Sequence, residues 1–131
     1  GDLLSLSKSL GLENNVRFFG KIFDGVGSYF SAADIVVVPG LGGLVINHAM
    51  IFGKPVVSRL ADGTELDLVK TGETGVLLDS YDIDELADAI CTVLSPKYLN
   101  DMSANARAAV DEFWNIETMI DRVHQCIEFQ Q

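Results

Sequence analysis

Four short, mostly apolar runs bounded by glycine or proline constrain this chain more than any other feature. They are Val16–Phe19 before Gly20, Ile35–Val38 before Pro39-Gly40, Pro55–Ser58 after Gly53-Lys54, and Gly75–Leu78 after Thr71-Gly72. Their apolar residues fall on consecutive rather than alternate positions, and many are β-branched. A strand covered on both faces has this signature, because neither side of its pleat meets water. Segments of helical periodicity lie between the runs. Strands alternating with helices build a parallel sheet with right-handed crossovers. The expected fold class is therefore α/β, a Rossmann-like sheet of about four parallel strands flanked by helices.

The helical segments carry their own end signals. Leu3, Leu6 and Leu10 share a stripe that Gly11 closes. Leu44 to Phe52 stops at Gly53. Asp82 and Glu85 have the spacing of a capping box. They open a helix with Ile83, Leu86, Ala87, Ile90 and Leu94 on one stripe, ended by Ser95-Pro96. Pro96 suits the first position of the next helix, which should reach about Phe113. Asn115 then caps a last amphipathic helix with Ile116, Met119, Ile120, Val123 and Ile127 on one face. Trp114 is expected to pack the last two helices together.

Ligands of parallel sheets sit beyond the carboxyl ends of the strands, so the residues just after each run matter most. After the second run, Pro39 leaves the ladder. Gly40, Gly42 and Gly43 let the backbone turn tightly and lie close to a neighbour. A helix begins at Gly43 or Leu44. Its first N–H groups lack partners within the helix, and its dipole puts partial positive charge there. That arrangement suits a phosphate-sized anion. Asn47 and His48 follow one turn later, within reach of a ribose or sugar hydroxyl. The same glycines also suit a plain strand-to-helix turn, and His48 also suits a packed or surface role.

Composition narrows the partners. Formal net charge is -10, from 19 acidic and 9 basic side chains, which argues against nucleic acid. One phosphorylated small molecule remains compatible, since backbone N–H groups bind it without net positive charge. The 131 residues fit one domain. No run is long enough to cross a bilayer, and no signal peptide opens the chain. Gly1 is not an initiator Met, so the natural start is expected upstream. Cys91 and Cys126 lie on separate helical segments without metal-ligand spacing. They read as reduced thiols of a cytoplasmic protein, with a disulfide as the alternative. Asp79, Asp82, Asp84, Glu85 and Asp88 read as caps and a solvated face rather than a calcium loop. No metal or other cofactor is expected.

From Pro39 to Val57 the chain resembles the donor loop and helix of the group 1 (family 4) glycosyltransferases, enzymes of the GT-B fold. Gly43-Leu44, Ala49-Met50, Gly53 and Pro55-Val56-Val57 stand in the register of that family's pattern. Asn15–Gly20, Tyr29–Ile35, Thr64-Glu65 and Lys70–Gly75 resemble its flanking segments, so the likeness runs from about Leu3 to Val123. The resemblance implies that residues 1–131 form the nucleotide-sugar (donor) binding domain, the C-terminal GT-B half, incomplete at its N-terminus. The four runs would then be the third to sixth of six strands, and Val16–Phe19 would lack its native neighbour.

The resemblance also implies roles. The donor diphosphate would meet the backbone at Gly43 and Leu44. The family's two carboxylates, which touch the transferred sugar and hold the ribose, fall on Gly40 and His48. Neither carboxylate is present, which implies either a variant donor site or an inactive one. A neutral imidazole can exchange one hydrogen bond with a ribose hydroxyl but lacks the two-oxygen grip of a carboxylate. Glu65 suits a donor contact or a helix cap equally. Gly20 and Lys21 fall near the nucleotide base, or Lys21 is simply solvated. No catalytic residue is assigned.

The implied reaction transfers a sugar from a nucleotide diphosphate to an acceptor hydroxyl, in cell-surface polysaccharide or glycolipid synthesis. The implied partners are the donor and an N-terminal acceptor-binding domain, with any membrane contact made through the longer protein. This stretch should not transfer sugar alone. A GT-B nucleotide-sugar epimerase and a catalytically inactive binding module are the alternatives. An NAD-binding domain fits less well, because no Gly-x-Gly-x-x-Gly follows a first strand.

Overall fold

A computed structural model describes residues 2–129. In chain order the elements are α1 (Leu3–Ser9), α2 (Val26–Ala32), β1 (Val36–Val38), α3 (Leu44–Ile51), β2 (Val56–Arg59), α4 (Thr64–Leu68), β3 (Gly75–Leu78), α5 (Ile83–Leu94), α6 (Pro96–Glu112) and α7 (Ile116–Glu128). The strands form one parallel sheet in the order β1-β2-β3. Val36 pairs with Val56 and Val38 with Ser58, while Val56 pairs with Gly75 and Arg59 with Leu78.

β2 is central, and all four of its residues are buried. Alternation sends Val56 to one face and Val57 to the other. Val56 joins Val38, Ile46, Ala49, Met50, Leu68, Val69, Ala106 and Val110 beneath α3, α4 and α6. Val57 joins Leu78, Ala89, Val93 and Met102 beneath α5 and α6. Burying each of these valines stabilises the fold by about 1.5–3 kcal/mol. Consecutive apolar residues in the strand are thus explained by two covered faces. β3 enters the sheet so closely at Gly75 that a Cβ there would stand 1.9 Å from the Val56 carbonyl oxygen.

The sheet has three strands, not four. Val16–Phe19 is irregular, and Val16, Phe18 and Phe19 are exposed. Its composition suits a strand, but a strand also needs a neighbour for its backbone N–H and C=O groups, and β1 pairs only with β2 among the described residues. The segment is held instead by its aromatic end: the Phe19 ring meets Tyr29 of α2 edge-on at 4.9 Å.

The helix ends follow the local signals closely. Asp82 caps α5, accepting from the N–H groups of Asp84 at 2.8 Å and Glu85 at 3.2 Å. The box is only half made, because the Glu85 carboxylate accepts from the Ser80 hydroxyl rather than reaching back to the cap. Pro96 begins α6, and the Asn115 side chain caps α7 through the Thr118 N–H at 2.8 Å. The apolar stripe of α7 is left exposed along its length. Trp114 lies at the α6–α7 corner with the Arg122 guanidinium 5.8 Å from its ring centre. Both cysteines are free and exposed. Among the described residues no helix is long and apolar enough to cross a membrane.

Candidate functional site

The carboxyl edge of the sheet presents two loop–helix junctions side by side. Loop 39–43 leaves β1 for α3, and loop 60–63 leaves β2 for α4. Their strands are locked at this end by Ser58, whose buried hydroxyl donates to the Val38 carbonyl at 3.2 Å. Ser58 was not anticipated as part of the site. Its signal was a lone hydroxyl at the carboxyl end of an otherwise apolar run, where only a buried partner could satisfy it.

Loop 39–43 is open. Gly40, Leu41, Gly43 and Leu44 are exposed. Gly43 caps α3 at φ 49° and ψ -134°, a conformation that glycine adopts freely and L-residues do not, and no side chain caps the helix. Among the described residues, no acceptor faces the N–H groups of Gly42, Gly43 and Leu44; the turn first closes with the Val45 N–H on the Gly42 carbonyl at 3.1 Å. Gly42 lies tight against the core, since a Cβ there would sit 2.8 Å from Ile46 Cδ1 and 3.1 Å from Val38 Cγ1. The core therefore presses the loop from below, and these amides find no protein acceptor among the described residues.

Local charge favours an anion. From Ile35 to Ala61 there is no Asp or Glu, in a chain with 19 acidic residues. Unpaired amides and a helix dipole, with no carboxylate of the loop's own to fill them, make loop 39–43 attractive to phosphate.

The other anticipated site residues disperse. His48 is exposed and packs edge-on against Phe30 of α2, with ring centres 5.9 Å apart. Phe30 in turn stacks on Phe52. Asn47 lines a groove of about 670 Å³ with Trp114, Ile116, Met119 and Val123, and its buried Oδ1 has no partner among the described residues. Gly40 has nothing within 4 Å of the position a Cβ would take. Gly20 and Lys21 are exposed beyond the irregular segment, and the Lys21 ammonium lies 4.9 Å from the Phe23 ring centre rather than against the loop.

Glu65 is fully buried in the second junction. Its Oε1 accepts the N–H groups of Ala61, Asp62 and Gly63. It has no exposed surface to offer a ligand, and the capping alternative describes what its carboxylate does. Arg59, at the end of β2, is also committed inward. It donates to the Asp82 carbonyl at 2.8 Å and lies over the Tyr81 ring at 5.0 Å.

Comparison with known proteins identifies the family. Residues 2–109 match the family model described as glycosyl transferases group 1. A D-inositol 3-phosphate glycosyltransferase from Corynebacterium diphtheriae is 38% identical over 91 residues, covering 66% of this chain and 21% of that protein. The chain thus spans about a fifth of the length of that relative. HepE from Anabaena, solved in complex with UDP and glucose, superposes with a TM-score of 0.79 at 30% identity, over 96% of this chain and 35% of HepE. The C-terminal domain of a group 1 family glycosyl transferase from Francisella tularensis superposes with a TM-score of 0.73 at 25% identity, over 87% of this chain and 61% of that domain. With the family model covering most of its length and a C-terminal domain of that family matching its fold, the chain belongs to the group 1 glycosyl transferases, with a GT-B-type α/β fold.

Proposed function

We propose that this chain forms the donor side of a family 4 glycosyltransferase and holds the diphosphate of a nucleotide sugar on the N–H groups of Gly42, Gly43 and Leu44. One observation carries the reading: these are unpaired amides at the start of a helix, at the carboxyl edge of a parallel sheet. The UDP named in the HepE structures supports a uridine nucleotide. In the parent reaction a glycosyl bond to the diphosphate breaks as one forms to an acceptor hydroxyl. The helix start then stabilises charge developing on the departing diphosphate. No metal is required by this scheme. A further acceptor-binding domain supplies the other wall of the cleft, and the enzyme works at the cytoplasmic side on a cell-surface polysaccharide or glycolipid.

The test is a titration of the chain with UDP, GDP, ADP and their sugars, followed by amide NMR shifts. UDP is expected to bind in preference, with shifts centred on Gly42 to Leu44 and little change of affinity in His48→Ala, whose ring packs on Phe30. A folded chain whose loop amides ignore all three nucleotides would overturn the reading. A second reading, an inactive donor-fold module, is favoured by Gly40, where no side chain is available to touch a sugar. Nucleotide binding without transfer by the longer protein would establish it.

A further inference from the structure

Loop 60–63 has the parts of an anion site and is already filled. The N–H groups of Ala61, Asp62 and Gly63 converge on Glu65 Oε1, those of Asp62 and Gly63 at 3.1 and 3.4 Å. The Leu60 N–H is taken by the Leu78 carbonyl at 2.8 Å, and the Thr64 N–H by Asp62 Oδ1 at 3.2 Å. Consecutive amides aimed at one point form a nest for an anion, and here the anion is the chain's own carboxylate.

Glu65 is 0% exposed, and its Oε2 has no partner among the described residues. Burying a carboxylate is costly unless its bonds offset the lost water, so three charge-assisted N–H bonds on one oxygen are the reason it can stay. Its helix also packs where it matters. Leu68 and Val69 share a core cluster with Val38 and Ile46, which flank the donor loop.

We propose that Glu65 is a positioning residue for the nucleotide site. As a built-in anion it holds loop 60–63 as a fixed wall beside Gly42–Leu44 and occupies the competing amide nest, so that an incoming diphosphate has one place to bind. This rests on the donor-binding reading above.

Wild type, Glu65→Gln and Glu65→Ala are compared by amide hydrogen exchange and UDP titration, each with and without formate. In Glu65→Ala, exchange at Ala61–Gly63 accelerates and UDP affinity falls about fivefold, the worth of one net hydrogen bond. Formate, entering the vacated nest, slows that exchange and recovers part of the affinity. Glu65→Gln falls between, because a neutral oxygen accepts more weakly than a carboxylate. Inorganic phosphate shifts Ala61–Gly63 in Glu65→Ala but not in wild type. Unchanged exchange in Glu65→Ala, or a formate response no larger than that of wild type, overturns the proposal. If the alanine variant does not fold, Glu65→Gln decides: faster exchange confined to Ala61–Gly63 supports the role, and wild-type exchange overturns it. Absent UDP binding in wild type defeats the donor reading instead, while exchange and formate still decide whether Glu65 holds the loop.

Discussion

Loops 39–43 and 60–63 occupy equivalent places and have opposite fates. Each follows a parallel strand, each hands over to a helix through a glycine of positive φ, Gly43 at 49° and Gly63 at 97°, and they neighbour one another at one edge. The second fills its amides with Glu65 and Asp62, whereas the first has no acid between Ile35 and Ala61 and leaves its amides open. Glycines make either loop possible. What separates a ligand site from a structural turn is whether the chain supplies its own acceptor, because a helix start without one must turn to solvent or ligand.

Gly43→Ala should disturb this contrast most. Nothing crowds the new Cβ, so the cost is backbone strain of about 1–3 kcal/mol for holding φ 49° and ψ -134°. If the backbone relaxes instead, the open amides turn away, and UDP affinity should fall at least about tenfold, a loss of about 1.4 kcal/mol. Calorimetric titration beside a urea melt separates the two costs. Retained stability with retained affinity would mean the amides of this turn do not hold the diphosphate.

Gly42→Ala should do less. Its Cβ would press on Ile46 and Val38, both in the core. Overpacking of this kind costs about 1–2 kcal/mol, softened where the Ile46 side chain can shift. Stability should fall while UDP affinity drops less than in Gly43→Ala, because the amide direction survives. Gly40→Ala should do least, within about 0.5 kcal/mol of wild type in a urea melt, since nothing lies within 4 Å. A large loss there would show that Gly40 approaches something the open loop does not reveal.

The sequence made some of this legible and hid the rest for physical reasons. Ile35–Val38 ending in Pro39-Gly40 announced both a strand and its exit, but not its burial: at the edge of the described sheet Val36 is half-buried and Val37 exposed. Asp82 and Asn115 announced helix starts, since a cap bonds amides two or three residues away. Val16–Phe19 carried the same apolar signal, but strand formation also needs a partner, which composition does not report. Glu65 was ambiguous because both of its readings need an acid at a helix start. The spacing did hold a clue: a carboxylate two to four residues after Ala61-Asp62-Gly63 is near enough to collect all three amides. Asn47 and His48 were placed together because they are adjacent, yet neighbours in a helix point about 100° apart. One faces the Trp114 groove and the other Phe30.

Acid provides the finest test of the difference between the loops. The Thr64 backbone N–H, then its hydroxyl, hold the Asp62 carboxyl below its ordinary value of 3.8. A group whose folded pKa is lowered contributes stability above its unfolded pKa and loses it as pH falls through the folded value. The contribution of Asp62 is therefore complete at neutral pH and fades only below pH 3.8. It is a small effect, because Asp62 is exposed. Protection of the Thr64 amide, taken relative to its intrinsic exchange rate at each pH, should fall in that acid range in wild type but stay level in Asp62→Asn, whose side chain does not titrate there. The amides of Gly42–Leu44 should not follow this transition, since among the described residues no side chain caps this helix start and no acceptor meets them. A parallel acid response at both loops would mean that a carboxylate reaches the open loop after all, and the contrast between a filled and an open nest would fail.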